Sequence, residues 1–281
     1  MTRPTRLPRG RVPALLAATV ACAALAAVLL SGCGLGIAGH RVKLRGIRMY
    51  YEVHGHGPAL LLLHGGTGNG TQFASVVPIF RRQFRVIVPD LCAQGRTTDR
   101  PGPLSYHAMA EDIVALMDHL RIRQADIMGW SDGGDVGLDL AIHHPARVKH
   151  LVTFGANFSP AGLKPDDLEW AASASAESFG PATRLSYEHL APDPGHYEIA
   201  MNKIIAMWRI EPAFTPQQLG SIRAKTLIAA GENDVVLPRH TAALARAIPG
   251  ARVWIVPGAT HSVILERPVL VGRTVIEFLR H

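Results

Sequence analysis

The stretch GWSDGG, residues 129–134, joins an apolar run, ADIMGW (125–130), to a helical pattern, GGDVGLDLAIHH (133–144). It contains the pattern G-x-S-x-G, centred on Ser131, at the point where a strand is followed by a helix. A serine on such a turn is held in a strained conformation, and the small glycines let strand and helix approach closely. The helix start also offers backbone N–H groups to developing negative charge. The position therefore predicts that Ser131 is a nucleophile.

Apolar runs alternate with helical patterns along most of the chain. Two short antiparallel strands are predicted in residues 42–55, and the continuous apolar runs that follow lie at 59–66, 84–90, 125–130, 150–156, 226–231 and 252–258. Runs without polar alternation indicate strands buried on both faces, and strands that alternate with helices indicate βαβ units. The predicted fold class is α/β, with a mainly parallel sheet, helices on both faces and an inserted helical cap at about 158–219, where strand-like runs are missing.

A serine hydroxyl needs a base to take its proton and an acid to orient that base. Asp234 comes just after the apolar run at 226–231, and His261 comes just after the run at 252–258. The chain order Ser, Asp, His is that of nucleophile-elbow hydrolases. We therefore predict His261 as the base and Asp234 as its orienting acid, with Glu232 as the alternative acid.

The segment HGGTG, residues 64–68, follows an apolar run and has the form of an oxyanion loop. Gly66 is predicted to supply one backbone donor and Asp132, the residue after the nucleophile, the other. An ordinary glycine-rich turn is the alternative. His64 is predicted to orient this loop rather than to catalyse.

Three residues are candidates for contact with substrate: Asp132, Trp130 and Trp208. Trp208 shares one helical face with Tyr197, Met201 and Ile204. Such a stripe indicates either packing of the cap onto the sheet, which is the commoner reason, or the lining of a pocket.

These motifs together resemble the α/β-hydrolase family with a helical cap, from about His40 to the end of the chain. GWSDGG, FGAN and GENDVVLP resemble the branch that contains valacyclovir hydrolase, also called biphenyl hydrolase-like protein. In that branch the acid after the nucleophile is associated with binding the α-amino group of amino-acid esters, so the resemblance implies this role for Asp132. The residues themselves slightly favour another role, an acid in the first turn of a helix that complements the helix dipole.

One loop departs from the pattern of many α/β-hydrolases. The resemblance implies Arg and Gly after the strand that ends at Asp90, but the chain has Cys92 and Ala93 there. Cys92 is predicted to be a small buried thiol.

The implied activity is that of a serine hydrolase without cofactor or metal, which cleaves a small ester through an acyl-enzyme. Hydrolysis of a C–C bond or of a lactone, and peroxyacid formation, remain open because they can use the same triad. A tethered binding protein without turnover is the alternative of another class.

The N-terminus predicts export. Four arginines lie in the first eleven residues, an apolar segment follows at 12–30, and LSGC ends at Cys33. This order is typical of an export signal, and LSGC resembles the lipobox of bacterial lipoproteins. We predict a signal peptide over 1–32, an acylated Cys33, a short tether over 33–40, and a domain over 41–281 on the exported side of the cell membrane. An uncleaved membrane helix and ordinary secretion are the alternatives.

The charge of the chain argues against nucleic acid as a partner. The formal net charge is +7, of which the four N-terminal arginines supply four, so the remainder carries +3. Because this remainder has no basic run interleaved with aromatic residues, no nucleic-acid surface is predicted. The predicted partners are a small ester and, through Cys33, the membrane.

Overall fold

The computed structural model describes residues 39–281. The predictions for the signal peptide, for Cys33 and for most of the tether fall outside this range. No helix in residues 39–281 has both the length and the apolar character needed to cross a membrane.

The centre of the domain is one eight-stranded sheet, mostly parallel. Its strands are β1 (His40–Leu44), β2 (Ile47–His54), β3 (Ala59–Leu63), β4 (Arg85–Pro89), β5 (Ala125–Trp130), β6 (Val148–Phe154), β7 (Lys225–Asn233) and β8 (Arg252–Thr260). Their spatial order is β1-β2-β4-β3-β5-β6-β7-β8. The pairs β1·β2 and β2·β4 are antiparallel, and β3 to β8 pair in parallel. The strands and their mainly parallel arrangement are as predicted.

Strand β3 shows why the apolar runs are continuous. Leu61 and Leu63 pack into the core on one face of the sheet, whereas Leu60 and Leu62 pack into the core on the other face. All four are fully buried. Successive side chains of a strand point to opposite faces, so a strand covered by helices on both sides has no polar positions.

Ten α-helices and four short 3₁₀ helices accompany the strands of residues 39–281. The α-helices are α1 (Val77–Phe80), α2 (Tyr106–His119), α3 (Asp132–His143), α4 (Pro165–Ser173), α5 (Pro181–Leu190), α6 (Tyr197–Trp208), α7 (Pro216–Gly220), α8 (Pro238–Ala247), α9 (Val263–Glu266) and α10 (Pro268–Arg280). The 3₁₀ helices are Gly70–Phe73, Pro160–Gly162, Ala176–Ser178 and Pro194–His196. Helices α4 to α7 lie between β6 and β7, in the segment predicted as the cap.

Proline begins three of these cap helices, because its fixed φ suits the first helical turn and its missing N–H costs nothing there. On α6 the predicted stripe divides into two parts. Tyr197, Met201 and Ile204 are buried in the core, which is the packing role. Trp208, the last residue of α6, is only partly buried and reaches the pocket described below.

Candidate active site

Ser131 lies on a sharp turn between β5 and α3. Its φ of 53° and ψ of −124° belong to a region that residues other than glycine rarely adopt. The turn requires glycine on both sides. A Cβ on Gly129 would lie 2.1 Å from the carbonyl oxygen of Gly133, and one on Gly133 would lie 2.0 Å from that of Leu63. The Ser131 N–H donates to the Phe154 carbonyl at 2.8 Å, which ties the turn to β6. This geometry is that of a nucleophile elbow.

Asp234 and His261 lie beside each other at the carboxyl ends of β7 and β8. Nδ1 of His261 lies 2.7 Å from Oδ1 of Asp234. The carboxylate also accepts hydrogen bonds from the N–H groups of Val236 and Gly231. Glu232 is exposed, and its carboxylate accepts from the Gly258 N–H instead. The acid that contacts the imidazole is therefore Asp234.

Burial and mutual attraction compete in this pair. Burial opposes ionisation of Asp234, but the imidazole and the backbone N–H groups outweigh burial and lower the pKa of Asp234. Burial likewise opposes the charged form of His261, but the Asp234 carboxylate outweighs it and raises the pKa of His261. Within residues 39–281 no hydrogen bond joins the Ser131 hydroxyl to His261, and such bonds are often long before substrate binds.

Trp130, a predicted substrate contact, also holds His261 in place. Its indole N–H donates to the His261 carbonyl at 2.8 Å, and its side chain is almost wholly buried. Gly155 makes room on the other side of the ring, since a Cβ there would lie 2.6 Å from Cε1 of His261. The motif FGAN contains Gly155, but no local signal indicates that the glycine faces the base.

The predicted oxyanion loop passes over Ser131. A Cβ on Gly65 would lie 3.4 Å from Cβ of Ser131, and the Gly65 N–H donates to the Gln72 side chain. The Gly66 N–H has no acceptor within residues 39–281. Asp132 is the first residue of α3, where a backbone N–H has no acceptor inside the helix. The oxyanion role of these two N–H groups stays a prediction.

His64 connects the oxyanion loop to the loop after β4. Its Nε2 accepts a hydrogen bond from the Leu91 N–H at 2.9 Å, and its Nδ1–H donates to the Gly65 carbonyl at 2.8 Å. Complete burial lowers the pKa of His64, so the ring is neutral and can accept at Nε2. These contacts agree with the orienting role predicted for His64.

The Asp132 side chain contacts the cap. Its carboxylate accepts from the Trp208 indole N–H at 2.9 and 3.0 Å and from the Tyr106 hydroxyl at 3.1 Å. Burial raises the pKa of Asp132 to about 6, although both donors oppose the rise. Asp132 is thus an acid in the first turn of α3, as the residues favour, and its side chain also accepts hydrogen bonds from α6 and α2.

One pocket contains Ser131 and His261 and extends under the cap. Aromatic side chains form much of its wall: Tyr106, Trp130, Trp170, Phe179 and Trp208. Three carboxylates face it, those of Asp132, Asp167 and Glu211. Within the described range 39–281 no lysine or arginine lines this pocket. A chain with net positive charge thus encloses an acidic pocket.

Comparisons with known proteins agree with this geometry. A family model described as alpha/beta hydrolase fold matches residues 58–180. A serine hydrolase, BPHL, from Mus musculus is 28% identical over 263 residues, which are 88% of each chain. A 2-hydroxymuconate semialdehyde hydrolase from Pseudomonas sp. (strain CF600) is 36% identical over 123 residues, 42% of this chain and 43% of its own. The solved structure of Est816, an N-acyl homoserine lactone degrading enzyme, superposes with a TM-score of 0.72 at 25% identity, over 85% of this chain and 100% of its own.

The protein is a hydrolase of the α/β-hydrolase fold. Its relatives are named for different substrates, so the comparisons show the fold and the general class of reaction rather than one substrate.

The hydrolase replaces the expected Arg-Gly loop with a buried ion pair. The Asp90 carboxylate accepts from the Gly70 N–H at 2.7 Å and from Nε of Arg96 at 2.7 Å, which joins the 3₁₀ helix Gly70–Phe73 to the loop after β4. Cys92 is buried, as predicted, and burial raises the pKa of its thiol. Ala93, where the resemblance implies glycine, adopts a φ of 63°. The contact between Asp90 and Arg96 was missed because nothing local in the sequence signals it.

Within residues 39–281 of the hydrolase, one cluster of side chains could in principle ligate a metal ion, and it does not line the pocket. His107 on α2 and His143 on α3 each place Nδ1 near Oδ1 of Asp139, at 2.9 and 3.1 Å. Two imidazole N–H groups donating to one carboxylate account for both distances.

Proposed function

We propose that this hydrolase cleaves a small carboxylic ester through an acyl-enzyme on Ser131. The observation that carries the proposal is the buried contact between Asp234 and His261 beside the strained Ser131 turn. Asp234 occupies Nδ1 of the ring, so Nε2 is the atom left to take the serine proton. No cofactor enters this chemistry.

His261 carries the proton in each half of the reaction. Ser131 Oγ attacks the ester carbonyl while its proton passes to Nε2 of His261, and the Gly66 and Asp132 N–H groups bind the oxyanion. The intermediate collapses, and the leaving alkoxide takes the proton from His261. Water then attacks the acyl-serine with His261 as base, which releases the acid and restores Ser131.

The charge of the pocket favours one class of ester. Three carboxylates without a lysine or arginine repel an anionic substrate and attract a cationic one. The resemblance to the branch that includes BPHL points to the same class, esters that carry an ammonium group. C–C bond hydrolysis has less support, because the relative named for 2-hydroxymuconate semialdehyde acts on a carboxylate-bearing substrate.

The test compares hydrolysis of p-nitrophenyl butanoate by the wild type and two serine variants. Ser131→Ala is expected to lower kcat by about three orders of magnitude or more and to abolish labelling by a fluorophosphonate probe. Ser173→Ala, an exposed cap position, is expected to match the wild type. A wild type that neither labels nor turns over any ester would instead support the tethered binding protein.

We further propose that the hydrolase is attached to the exported face of a membrane through an acylated Cys33. The support is the LSGC motif after an apolar segment that follows four arginines. In a bacterial host, the full chain is expected to take up labelled palmitate and to sediment with membranes, and Cys33→Ser is expected to lose the label. A wild type that stays unlabelled contradicts the anchor.

A further inference from the structure

Asp167, on the first turn of cap helix α4, lines the same pocket as Ser131 and His261. We propose that Asp167 forms a subsite that binds a primary ammonium group of the substrate. This inference rests on the ester-hydrolase function proposed above and assigns the charge recognition to a residue of the cap.

The Asp167 carboxylate is buried without a partner. The residue is 5% exposed, and its Oδ1 accepts no hydrogen bond within residues 39–281. Leaving a buried carboxylate oxygen unpaired is costly, and native folds rarely keep one without a reason. Thr183 on α5 lines the same pocket, and its hydroxyl is a second buried polar atom without a partner in the described chain. Two residues that line the cap side of the pocket thus each hold a buried oxygen without a hydrogen-bond partner.

Asp167 does not serve as a helix-capping acid, because the N–H group that it would cap already has another acceptor. Asp167 is the third residue of α4, from which a carboxylate commonly reaches back to the backbone N–H of the residue that caps the helix. Here the capping residue is Lys164, and its N–H donates to the Val235 carbonyl at 2.9 Å. The Asp167 side chain takes no part in that cap. Its neighbour Asp166, also in the first turn, is exposed and can complement the helix dipole.

The other pocket carboxylates are already engaged. Asp132 accepts from Trp208 and Tyr106, and Glu211 accepts from the Tyr106 N–H at 2.7 Å. Asp167 is thus the pocket carboxylate with the most open acceptor positions. Burial raises its pKa although Lys164 and His261 oppose the rise, so the charged form is disfavoured by burial until a cation contacts it directly. An ammonium group would supply both the missing donors and the missing positive charge.

The experiment uses pairs of esters in which a methyl group replaces the ammonium group. On the acyl side these are benzyl esters of glycine, β-alanine and 6-aminohexanoate, each beside the matching alkanoate. On the alcohol side they are 6-aminohexyl and heptyl butanoate. The quantity measured is the ratio of kcat/KM for the ammonium ester to kcat/KM for its methyl partner. Dividing the ratio for the wild type by that for a variant cancels the intrinsic reactivity of the esters.

Asp167→Asn is expected to lower this ratio about tenfold or more for at least one pair, the size of a charged hydrogen bond. Asp166→Asn, the exposed neighbour, is expected to leave every ratio unchanged. The Tm of the unliganded Asp167→Asn protein is expected to equal or exceed that of the wild type, because a buried unpaired charge has been removed.

Three results would overturn the subsite. The first is an equal loss of kcat/KM for both members of each pair. The second is a ratio that changes in Asp132→Asn but not in Asp167→Asn, which would return the role to Asp132. The third is a markedly lower Tm for Asp167→Asn, which would reveal a structural partner. Failure of the ester-hydrolase function differs from all three, since no pair would then be cleaved faster by the wild type than by Ser131→Ala.

Discussion

Asp132 and Asp234 are both buried carboxylates, and their partners give them opposite properties. A histidine and two backbone N–H groups stabilise the charge of Asp234, so its pKa is low. Burial outweighs the hydrogen bonds from Trp208 and Tyr106 and the weaker charge interaction with His261, so the pKa of Asp132 is raised. The type of residue and its position in the chain predicted the partner of Asp234. The partners of Asp132 come from the cap helix α6 and from α2, and they were not predictable.

The contact between Asp234 and His261 determines how kcat/KM falls at low pH. Acylation needs neutral His261, and Asp234 raises the pKa of His261 above 6.5. The protonated, inactive form therefore persists to higher pH, and kcat/KM for p-nitrophenyl butanoate is expected to fall below a midpoint that lies above 6.5. In Asp234→Asn burial prevails, so this midpoint moves to lower pH, while kcat drops by about four orders of magnitude.

Glu232→Gln is the matched control for this profile, because Glu232 is the exposed alternative acid two residues away. It is expected to reproduce the wild-type midpoint. If the midpoint shifts in Glu232→Gln and stays in place in Asp234→Asn, then Glu232 rather than Asp234 orients His261, which contradicts the assignment.

Among the secondary-structure elements, helix α6 links the cap to α3, the helix that follows the nucleophile. Its last residue, Trp208, donates its indole N–H to Asp132, the first residue of α3. The period of α6 predicted which side chains face inward, and three of the four stripe residues are core. The sequence could not show where the end of α6 meets the catalytic domain, because that contact joins residues 76 positions apart.

Trp208→Phe is expected to lower the free energy of unfolding more at pH 8 than at pH 5. The folded pKa of Asp132, about 6, exceeds its ordinary 3.8, so ionisation costs stability as the pH rises through this window. Without the indole donor the pKa of Asp132 rises further, so the folded state continues to lose stability as the pH increases above 6. At pH 8 we expect a cost of about 1–3 kcal/mol, measured by chemical denaturation.

Trp170→Phe provides the comparison, since Trp170 lies in the same pocket wall and its indole makes no hydrogen bond to Asp132. Trp170→Phe is expected to lower the free energy of unfolding by the same amount at pH 5 and at pH 8. An equal cost of Trp208→Phe at pH 5 and pH 8 would show that Asp132 is not stabilised by the indole.

At the scale of the whole molecule, parallel strands bring distant segments to one edge of the sheet. Ser131, Asp234 and His261 follow β5, β7 and β8, and the carboxyl ends of parallel strands share an edge. The apolar runs therefore predicted both the sheet and the meeting of the triad. The acidic pocket was not predictable from the net charge, because the carboxylate of Asp167 comes from the cap and its neighbours are set by tertiary packing.

The most direct test of the account is to trap the acyl-enzyme. The wild type is mixed with p-nitrophenyl butanoate, quenched within the first turnovers, digested and mapped by mass spectrometry. We predict a burst of p-nitrophenol and a butanoyl group on the peptide that contains Ser131, with neither in Ser131→Ala. Steady turnover without an adduct on Ser131, retained in Ser131→Ala, would contradict the nucleophile and with it the mechanism.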